Sequence, residues 1–318
     1  MPAWARPPPT LVRGRPTTTE QSEHPAVILS ATDVTLSYLD ALVLGVVEGL
    51  TEFLPVSSTG HLTIAEKLLG LPVDAKVVTA YTAIIQLGAI AATFLYFGRK
   101  IVRLLMAWVR GLTDADARRH SDWNLAWAVI IGSVPVGIVG FLGRHLIEGA
   151  LRSLWVVAAA LILWSAVMWV AEKRHDVLLR QGQQRDETQL SPLDGLIIGL
   201  VQCCSLVPGV SRSGATISAG LLRGIDRVTA TELSFFMAIP ALTAAGLMQA
   251  AQEASHLSAL GVGPMILGIV VSFAVAYASI AWLLKFVASN SLLAFIGYRV
   301  ALGALLMVAL GAGWISAT

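Results

Sequence analysis

The sequence predicts an all-α integral membrane protein with six transmembrane helices plus two re-entrant helical pairs in an inverted-topology repeat. Only 13% of the residues are charged and 56% are hydrophobic, whereas a soluble domain carries roughly 25% charged residues. The apolar runs are long and unpunctuated, which favours helices over the alternating strands of a barrel. Two polar stretches that resemble each other interrupt this apolar pattern, 154 positions apart.

The chain divides into a polar tail and one membrane domain. Residues 1–30 are rich in Pro, Thr, Arg and Glu and contain no apolar run, so they are predicted to be a disordered tail. A single membrane domain is expected over 31–318, with repeat 1 at about 34–171 and repeat 2 at about 190–316. The net charge of +2, without a basic run interleaved with aromatics, gives no support to nucleic-acid binding.

The first polar stretch is Gly45–Leu62, GVVEGLTEFLPVSSTGHL. Glu48 and Glu52 are four residues apart, so they share one face of a helix. Pro55 ends that helix, and a polar loop follows before His61 opens the next helical segment. A helix, a polar loop and a short return helix are the pattern expected of a re-entrant pair.

The second polar stretch is Gly199–Thr216, GLVQCCSLVPGVSRSGAT. It aligns with the first stretch without gaps, so that Ser57 falls on Ser211. The two loops are therefore predicted to be related copies. The first copy contributes acids, and the second contributes Arg212.

Six apolar runs are predicted to span the membrane: Val77–Phe97, Trp123–Gly143, Leu154–Ala171, Glu232–Ala251, Val262–Leu284 and Leu292–Trp314. Basic residues crowd the linkers Arg99–Arg119 and Lys173–Arg185, and the positive-inside rule places these linkers in the cytoplasm. Three spans separate the re-entrant pairs, so the pairs enter from opposite faces and their loops meet near the midplane.

Arg212 and its neighbours are typical of a phosphate-binding loop. The guanidinium offers a planar donor fork, and Ser211 and Ser213 add hydroxyls. A helix starting near Gly214 would direct its positive end at a bound anion. Thr216 belongs to the same predicted substrate-binding set. An arginine at membrane depth is costly, which favours a functional role.

Glu48 and Glu52 are predicted to bind a divalent cation, Mg²⁺ or Ca²⁺. Two ionised carboxylates in a low-dielectric site would repel each other, and a hard cation removes that repulsion while bridging phosphate oxygens. Protonation of one acid, or a water-filled cavity around both, is the alternative.

The hydroxyl cluster that follows has both a chemical and a structural interpretation. Ser57 and Thr59 are predicted to bind substrate, although the whole cluster could instead supply loop and helix-cap residues. His61 lies three residues after Ser58 and is predicted to act as a base or an acid. The sequence leaves open whether Ser58 or a water is the nucleophile.

Three further residues with reactive or charged side chains lie in apolar segments of the sequence. Cys203 and Cys204 are adjacent in an apolar segment, so they are expected to be small buried residues without a disulfide or a metal. Arg299 lies in the last apolar run, where it could snorkel to the interface or pair with a site acid or phosphate.

The segments EGLTEFLPVSSTGHL and QCCSLVPGVSRSGATI resemble the two signature regions of the undecaprenyl-diphosphate phosphatase family, the bacitracin-resistance type. The resemblance extends from about Val34 to the C-terminus and includes FIGYRVALG. It implies dephosphorylation of undecaprenyl diphosphate, which recycles the lipid carrier for cell-wall synthesis. It also implies a bacterial inner-membrane location with the site facing the periplasm. The roles it transfers fall on Glu48, Glu52, Ser58, His61, Ser211, Arg212 and Ser213.

Two other classes of protein share these sequence features. A transporter or flippase is one, because inverted repeats with midplane sites are a common transporter architecture. A non-catalytic lipid-binding protein is the other. The sequence leaves the oligomeric state open, with a homodimer among the arrangements it allows.

Overall fold

The computed structural model describes residues 36–73, 75–148, 151, 153–252 and 261–317. Over these residues the chain forms eleven α-helices: α1 Tyr38–Thr51, α2 Ser58–Leu68, α3 Lys76–Tyr96, α4 Gly98–Thr113, α5 Ser121–Glu148, α6 Leu154–Arg180, α7 Pro192–Gln202, α8 Arg212–Leu222, α9 Arg227–Gln252, α10 Val262–Val287 and α11 Leu293–Gly311. The disordered tail predicted for residues 1–30 lies outside the described residues.

Six helices in the described part of the chain are long and apolar enough to cross a membrane: α3, α5, α6, α9, α10 and α11. They coincide with the six predicted spans, so the all-α membrane fold class is confirmed. Pro135 and Pro240 lie inside α5 and α9 without ending them. Five other helices remain in the described residues. Four of them, α1 with α2 and α7 with α8, lie where the two re-entrant pairs were predicted, and the fifth is α4.

The two short pairs begin in the same way. Ser37 caps α1 through a reciprocal capping box with Asp40, and Ser191 caps α7 through the same box with Asp194. Each box satisfies backbone N–H groups that the first turn leaves free. The two boxes are also 154 positions apart, so the resemblance between the repeats starts before the polar stretches.

The return helices match as closely, and both begin earlier than predicted. α2 starts at Ser58 rather than His61, and α8 starts at Arg212 rather than Gly214. The residue before each start, Ser57 and Ser211, has a φ of 78°. This left-handed conformation turns the chain abruptly, so that each helix begins at the next residue. The candidate nucleophile and the candidate phosphate ligand therefore occupy the first turn of equivalent helices.

Close helix packing holds each pair to a long helix of the other half of the chain. α1 packs on α10 and α7 packs on α5. A Cβ atom on Gly199 of α7 would lie 2.1 Å from the carbonyl oxygen of Gly132 in α5. Only glycine permits backbones to approach this closely.

The basic linker after α3 contains a helix that the sequence analysis missed. In α4, Val102, Leu105, Met106 and Val109 are exposed apolar residues at helical spacing. This spacing predicts an amphipathic helix, because it places the four side chains on one face. A short amphipathic helix with basic residues is typical of an element that lies at a membrane surface.

Candidate active site

Glu52 lies where the two polar loops meet. It is the C-cap residue of α1, and only 6% of its surface is exposed. One carboxylate oxygen accepts a hydrogen bond of 2.7 Å from the Ser58 hydroxyl. The other oxygen lies 3.2 Å from Nη2 of Arg212. A carboxylate, a hydroxyl and a guanidinium from both loops thus form one cluster.

The guanidinium of Arg212 is held in a fixed orientation. Its Nη1 donates to the carbonyl oxygen of Ser234 in α9 at 2.9 Å. The Thr216 hydroxyl donates to the Ser234 hydroxyl at 2.7 Å, which ties α8 to α9. Thr216 therefore supports Arg212 through Ser234, and the predicted substrate-binding role of Thr216 stays a prediction.

The other hydroxyls of the second loop make contacts within the protein. Ser213 donates to the carbonyl oxygen of Leu54 in the first loop at 2.9 Å. Ser211 accepts from the backbone N–H of Gly214 at 3.1 Å, and so caps α8. These bonds fix the loop that carries Arg212, and a substrate-binding role for either serine stays a prediction.

His61 contacts different partners from those the sequence suggested. Its Nδ1 lies 2.7 Å from the carbonyl oxygen of Ser57, and its Nε2 lies 2.6 Å from the Tyr298 hydroxyl. Because a carbonyl only accepts, Nδ1 carries a proton and neutral His61 accepts at Nε2. The proton of Ser58 is directed to Glu52 and not to His61, so the expected serine–histidine contact is absent among the described hydrogen bonds.

Three buried side chains near the site have polar atoms without a hydrogen-bond partner among the described residues. They are Oε1 of Glu48, both amide atoms of Gln202 and Nε of Arg212. Glu48 and Gln202 are 1% and 0% exposed, and they occupy equivalent positions of the two repeats. Buried polar atoms without partners are destabilising. A polar ligand that supplied partners would remove that cost.

A cavity of about 730 Å³ adjoins this cluster. The polar side chains Glu52, Ser57, Ser58, Thr59 and Arg212 line it. Apolar side chains of α5 and α9 line it as well: Val129, Ile130, Val134, Phe141, Leu242 and Met248. A lining that combines charged and apolar side chains suits a ligand with a charged head group and a hydrocarbon chain.

Arg299 neither snorkels to an interface nor pairs with a site acid, and its pairing with a phosphate stays a prediction. The side chain is fully buried, so it does not snorkel to an interface. Within the described residues no carboxylate lies within ion-pair distance of it, so it does not pair with a site acid. Its donors instead bind the carbonyl oxygens of Pro55 and Gly209 and the hydroxyl of Ser165.

Two other features differ from expectation. Cys203 is half-buried but Cys204 is exposed, so the prediction that both are buried is wrong. An acidic group with metal-ligand spacing exists away from the predicted site, formed by Glu172, His175 and Asp176. Arg227 already pairs with both of its carboxylates, at 2.6 and 2.9 Å.

Sequence reasoning missed the supporting residues Ser234, Tyr298 and the buried Gln202. Ser234 and Tyr298 lie inside long apolar helices, where nothing local marks one polar residue as part of a site. Gln202 carried a signal, because it aligns with Glu48. Because the repeat brings its two loops together, residues at equivalent positions of the two copies can be predicted to share one site.

Comparisons with known proteins show which family this sequence resembles. The family model for bacitracin resistance protein BacA matches residues 41–305. Undecaprenyl-diphosphatase 3 of Frankia casuarinae is 55% identical over 285 residues, which covers 89% of this chain and 100% of that protein. An undecaprenyl-diphosphatase of Cutibacterium acnes is 52% identical over 280 residues, 86% of this chain and 96% of that protein. The chain belongs to the bacitracin resistance protein BacA family.

Proposed function

We propose that this chain hydrolyses undecaprenyl diphosphate to undecaprenyl phosphate and inorganic phosphate. The reaction returns the lipid carrier to cell-wall synthesis and confers bacitracin resistance. The relatives named undecaprenyl-diphosphatase support the substrate and the reaction. The observation that carries the proposal is the contact of Glu52 with both Ser58 and Arg212 in the lining of a cavity that also has apolar walls.

In the proposed mechanism the Ser58 hydroxyl attacks the terminal phosphorus of the diphosphate. Its proton passes to the Glu52 oxygen that it already contacts at 2.7 Å. The bond from that phosphorus to the bridging oxygen breaks, and undecaprenyl phosphate leaves. Water then hydrolyses the phosphoserine, which releases inorganic phosphate and restores the Ser58 hydroxyl. Direct attack by a water deprotonated at Glu52 is the second route that this cluster allows.

Arg212 stabilises the charge that spreads over the transferring phosphoryl oxygens. Its Nη1 and Nη2 groups contact Ser234 and Glu52, whereas its Nε–H has no acceptor among the described residues. The free Nε–H is buried. A phosphoryl oxygen would supply its missing acceptor.

Glu48 and Glu52 are the residues that would hold a divalent cation. The residues fit such an ion, because Oε1 of Glu48 is buried without a partner and carboxylate oxygens suit Mg²⁺ or Ca²⁺. A bound cation would supply Lewis-acid stabilisation of phosphate charge. Each Glu52 oxygen has a second lone pair beyond its contacts with Ser58 and Arg212.

The enzyme is a multi-pass membrane protein, and its lipid substrate suits the cavity. Hydrocarbon from the substrate would contact the apolar side chains of α5 and α9 in the cavity lining, while the diphosphate would lie beside Arg212 and Ser58. The positive-inside rule favours a cytoplasmic location for the basic linkers Arg99–Arg119 and Lys173–Arg185. The site is proposed to open on the opposite side of the bacterial cell membrane, to the periplasm.

Product analysis separates this function from its two rivals. Purified protein in detergent is incubated with undecaprenyl diphosphate, and both inorganic phosphate and undecaprenyl phosphate are quantified. Equal amounts of the two products are expected. A transporter, a flippase or a non-catalytic lipid-binding protein would leave the diphosphate intact, and that outcome would refute the proposal.

A further inference from the structure

Arg299 joins the two loops of the site through one side chain. From α11, its Nη1 donates to the carbonyl oxygen of Pro55 at 3.2 Å and its Nη2 donates to that of Gly209 at 2.9 Å. Its Nε donates to the Ser165 hydroxyl of α6 at 3.2 Å. A single planar guanidinium thus ties both loops to the α6–α11 helix pair.

The two carbonyls occupy equivalent positions. Pro55 and Gly209 are 154 residues apart, which is the offset of the whole repeat. Pro55 precedes Ser58 by three residues, and Gly209 precedes Arg212 by three residues. Arg299 therefore binds each loop at the backbone carbonyl three residues before its candidate site residue, which is Ser58 in the first loop and Arg212 in the second.

Charge neutralisation does not explain this arginine. It is 0% exposed, and the described part of the chain places no carboxylate within ion-pair distance. Burying a cation against neutral acceptors is costly, and an apolar side chain would fill the same space at lower cost. The hydrogen bonds themselves are the property that only an arginine provides, because its fork can reach two carbonyls at once.

We propose that Arg299 is a positioning residue that sets the spacing of the two loops, and thereby places Arg212 relative to Ser58 and Glu52. The proposal rests on the phosphatase function for its catalytic consequence. Arg299 contacts none of these three side chains, so it acts through the loop backbones. A displacement of 1 Å in such a site costs about 10²-fold in rate.

Arg299→Lys tests this role, because it keeps the charge but cannot reach both carbonyls. We expect kcat for phosphate release to fall roughly 10²-fold, with KM nearly unchanged and the detergent-solubilised protein still folded. Arg227→Lys is the control, since Arg227 is a partly buried arginine, with 16% of its side chain exposed, that pairs with Glu172 and Asp176. Its kcat should stay close to that of the wild type.

A double-mutant cycle separates positioning from general stabilisation. Ser213→Ala removes another hydrogen bond between the loops, the one to Leu54. If Arg299 sets loop spacing, the losses in kcat from Arg299→Lys and Ser213→Ala should be non-additive, whereas Arg227→Lys and Ser213→Ala should be additive. Additivity in both pairs, or equal losses for the two arginines, would overturn the proposal.

A distance measurement tests the same spacing without turnover. Spin labels at Thr59→Cys and Ser205→Cys, in a protein with Cys203 and Cys204 replaced by alanine, report one distance across the cavity. The distribution should broaden or shift with Arg299→Lys and stay unchanged with Arg227→Lys. An unchanged distribution with Arg299→Lys contradicts the positioning role. A changed distribution, together with no phosphate release by the unlabelled wild-type protein, supports loop spacing and refutes the phosphatase function instead.

Discussion

Glu52 is the residue on which the chemistry of the site converges. Its two carboxylate oxygens face different partners, the Ser58 hydroxyl on one side and the Arg212 guanidinium on the other. A carboxylate with this arrangement can accept the proton of the hydroxyl at one oxygen while the guanidinium orients it at the other. The contact also explains how loops 154 residues apart act together, because neither loop alone holds both the hydroxyl and the guanidinium.

The two neighbouring serines should differ sharply in their importance. Ser58→Ala removes the hydroxyl that contacts Glu52, so kcat should fall by more than the roughly 10²-fold typical of one lost transition-state donor. Ser57→Ala should cost less, because the Ser57 hydroxyl makes no capping bond to α2. Steady-state phosphate release measures both. A Ser58→Ala enzyme with near-normal kcat would remove this serine from the mechanism.

Arg212→Lys should abolish most of the activity while the protein stays folded. Lysine keeps the charge, but one ammonium cannot contact Ser234 and Glu52 and still present a fork to phosphate. The measurement is kcat/KM for phosphate release, accompanied by thermal unfolding in detergent. Wild-type turnover in this variant would contradict the role of Arg212 as the phosphate ligand.

Glu48→Gln should weaken the requirement for a divalent cation. The substitution keeps the shape of the buried side chain but removes a charged oxygen that has no protein partner among the described residues. After chelation, titration with Mg²⁺ should need a higher concentration for half-maximal activity than in the wild type. If wild-type activity survives exhaustive chelation, the assignment of a cation to Glu48 and Glu52 is wrong.

At the scale of elements, the site depends on where two short helices begin. α2 and α8 start at Ser58 and Arg212, each after a serine in the left-handed conformation. The sequence predicted both helices but placed their starts two or three residues late. Glycine and proline suggested longer loops, whereas a positive φ at a non-glycine residue has no reliable sequence signal. The loop partners Ser234 and Tyr298 were beyond prediction for a related reason, since only tertiary packing brings them to the site.

The contact between α7 and α5 should tolerate no side chain at Gly199. A Cβ there would lie 2.1 Å from the backbone of Gly132, so Gly199→Ala forces the two helices apart. The expected loss of stability is about 1–3 kcal/mol, the usual cost of overpacking. Gly297→Ala is the control, because Gly297 is in α11 with no atom within 4 Å of its added Cβ. The thermal unfolding temperature in detergent should fall for Gly199→Ala and stay unchanged for Gly297→Ala.

At the scale of the whole molecule, the two halves of the chain repeat the same structure. Capping boxes, left-handed serines and return helices all recur at an offset of 154 residues. The packing of α1 on α10 and of α7 on α5 is reciprocal between the halves. These features support the predicted repeat, and its inverted orientation across the membrane stays a prediction because orientation depends on the bilayer.

The orientation can be measured with reporters fused to the chain. The basic linker Arg99–Arg119 should be cytoplasmic, because clustered Lys and Arg near short spans are retained on that side. The C-terminus should lie outside. Alkaline phosphatase and green fluorescent protein fusions at Arg110 and at the C-terminus report opposite sides. A reporter that places Arg110 outside would overturn the arrangement of all six spans.

The most direct test of the whole account is phosphate release from undecaprenyl diphosphate by purified wild-type protein and by Glu52→Gln. The amide keeps the size of Glu52 but cannot take the proton of Ser58 or balance the charge of Arg212. We predict stoichiometric release by the wild type and a kcat lower by about 10²–10⁴-fold in the variant, the range expected for loss of a general base. Release by Glu52→Gln at the wild-type rate would contradict the account.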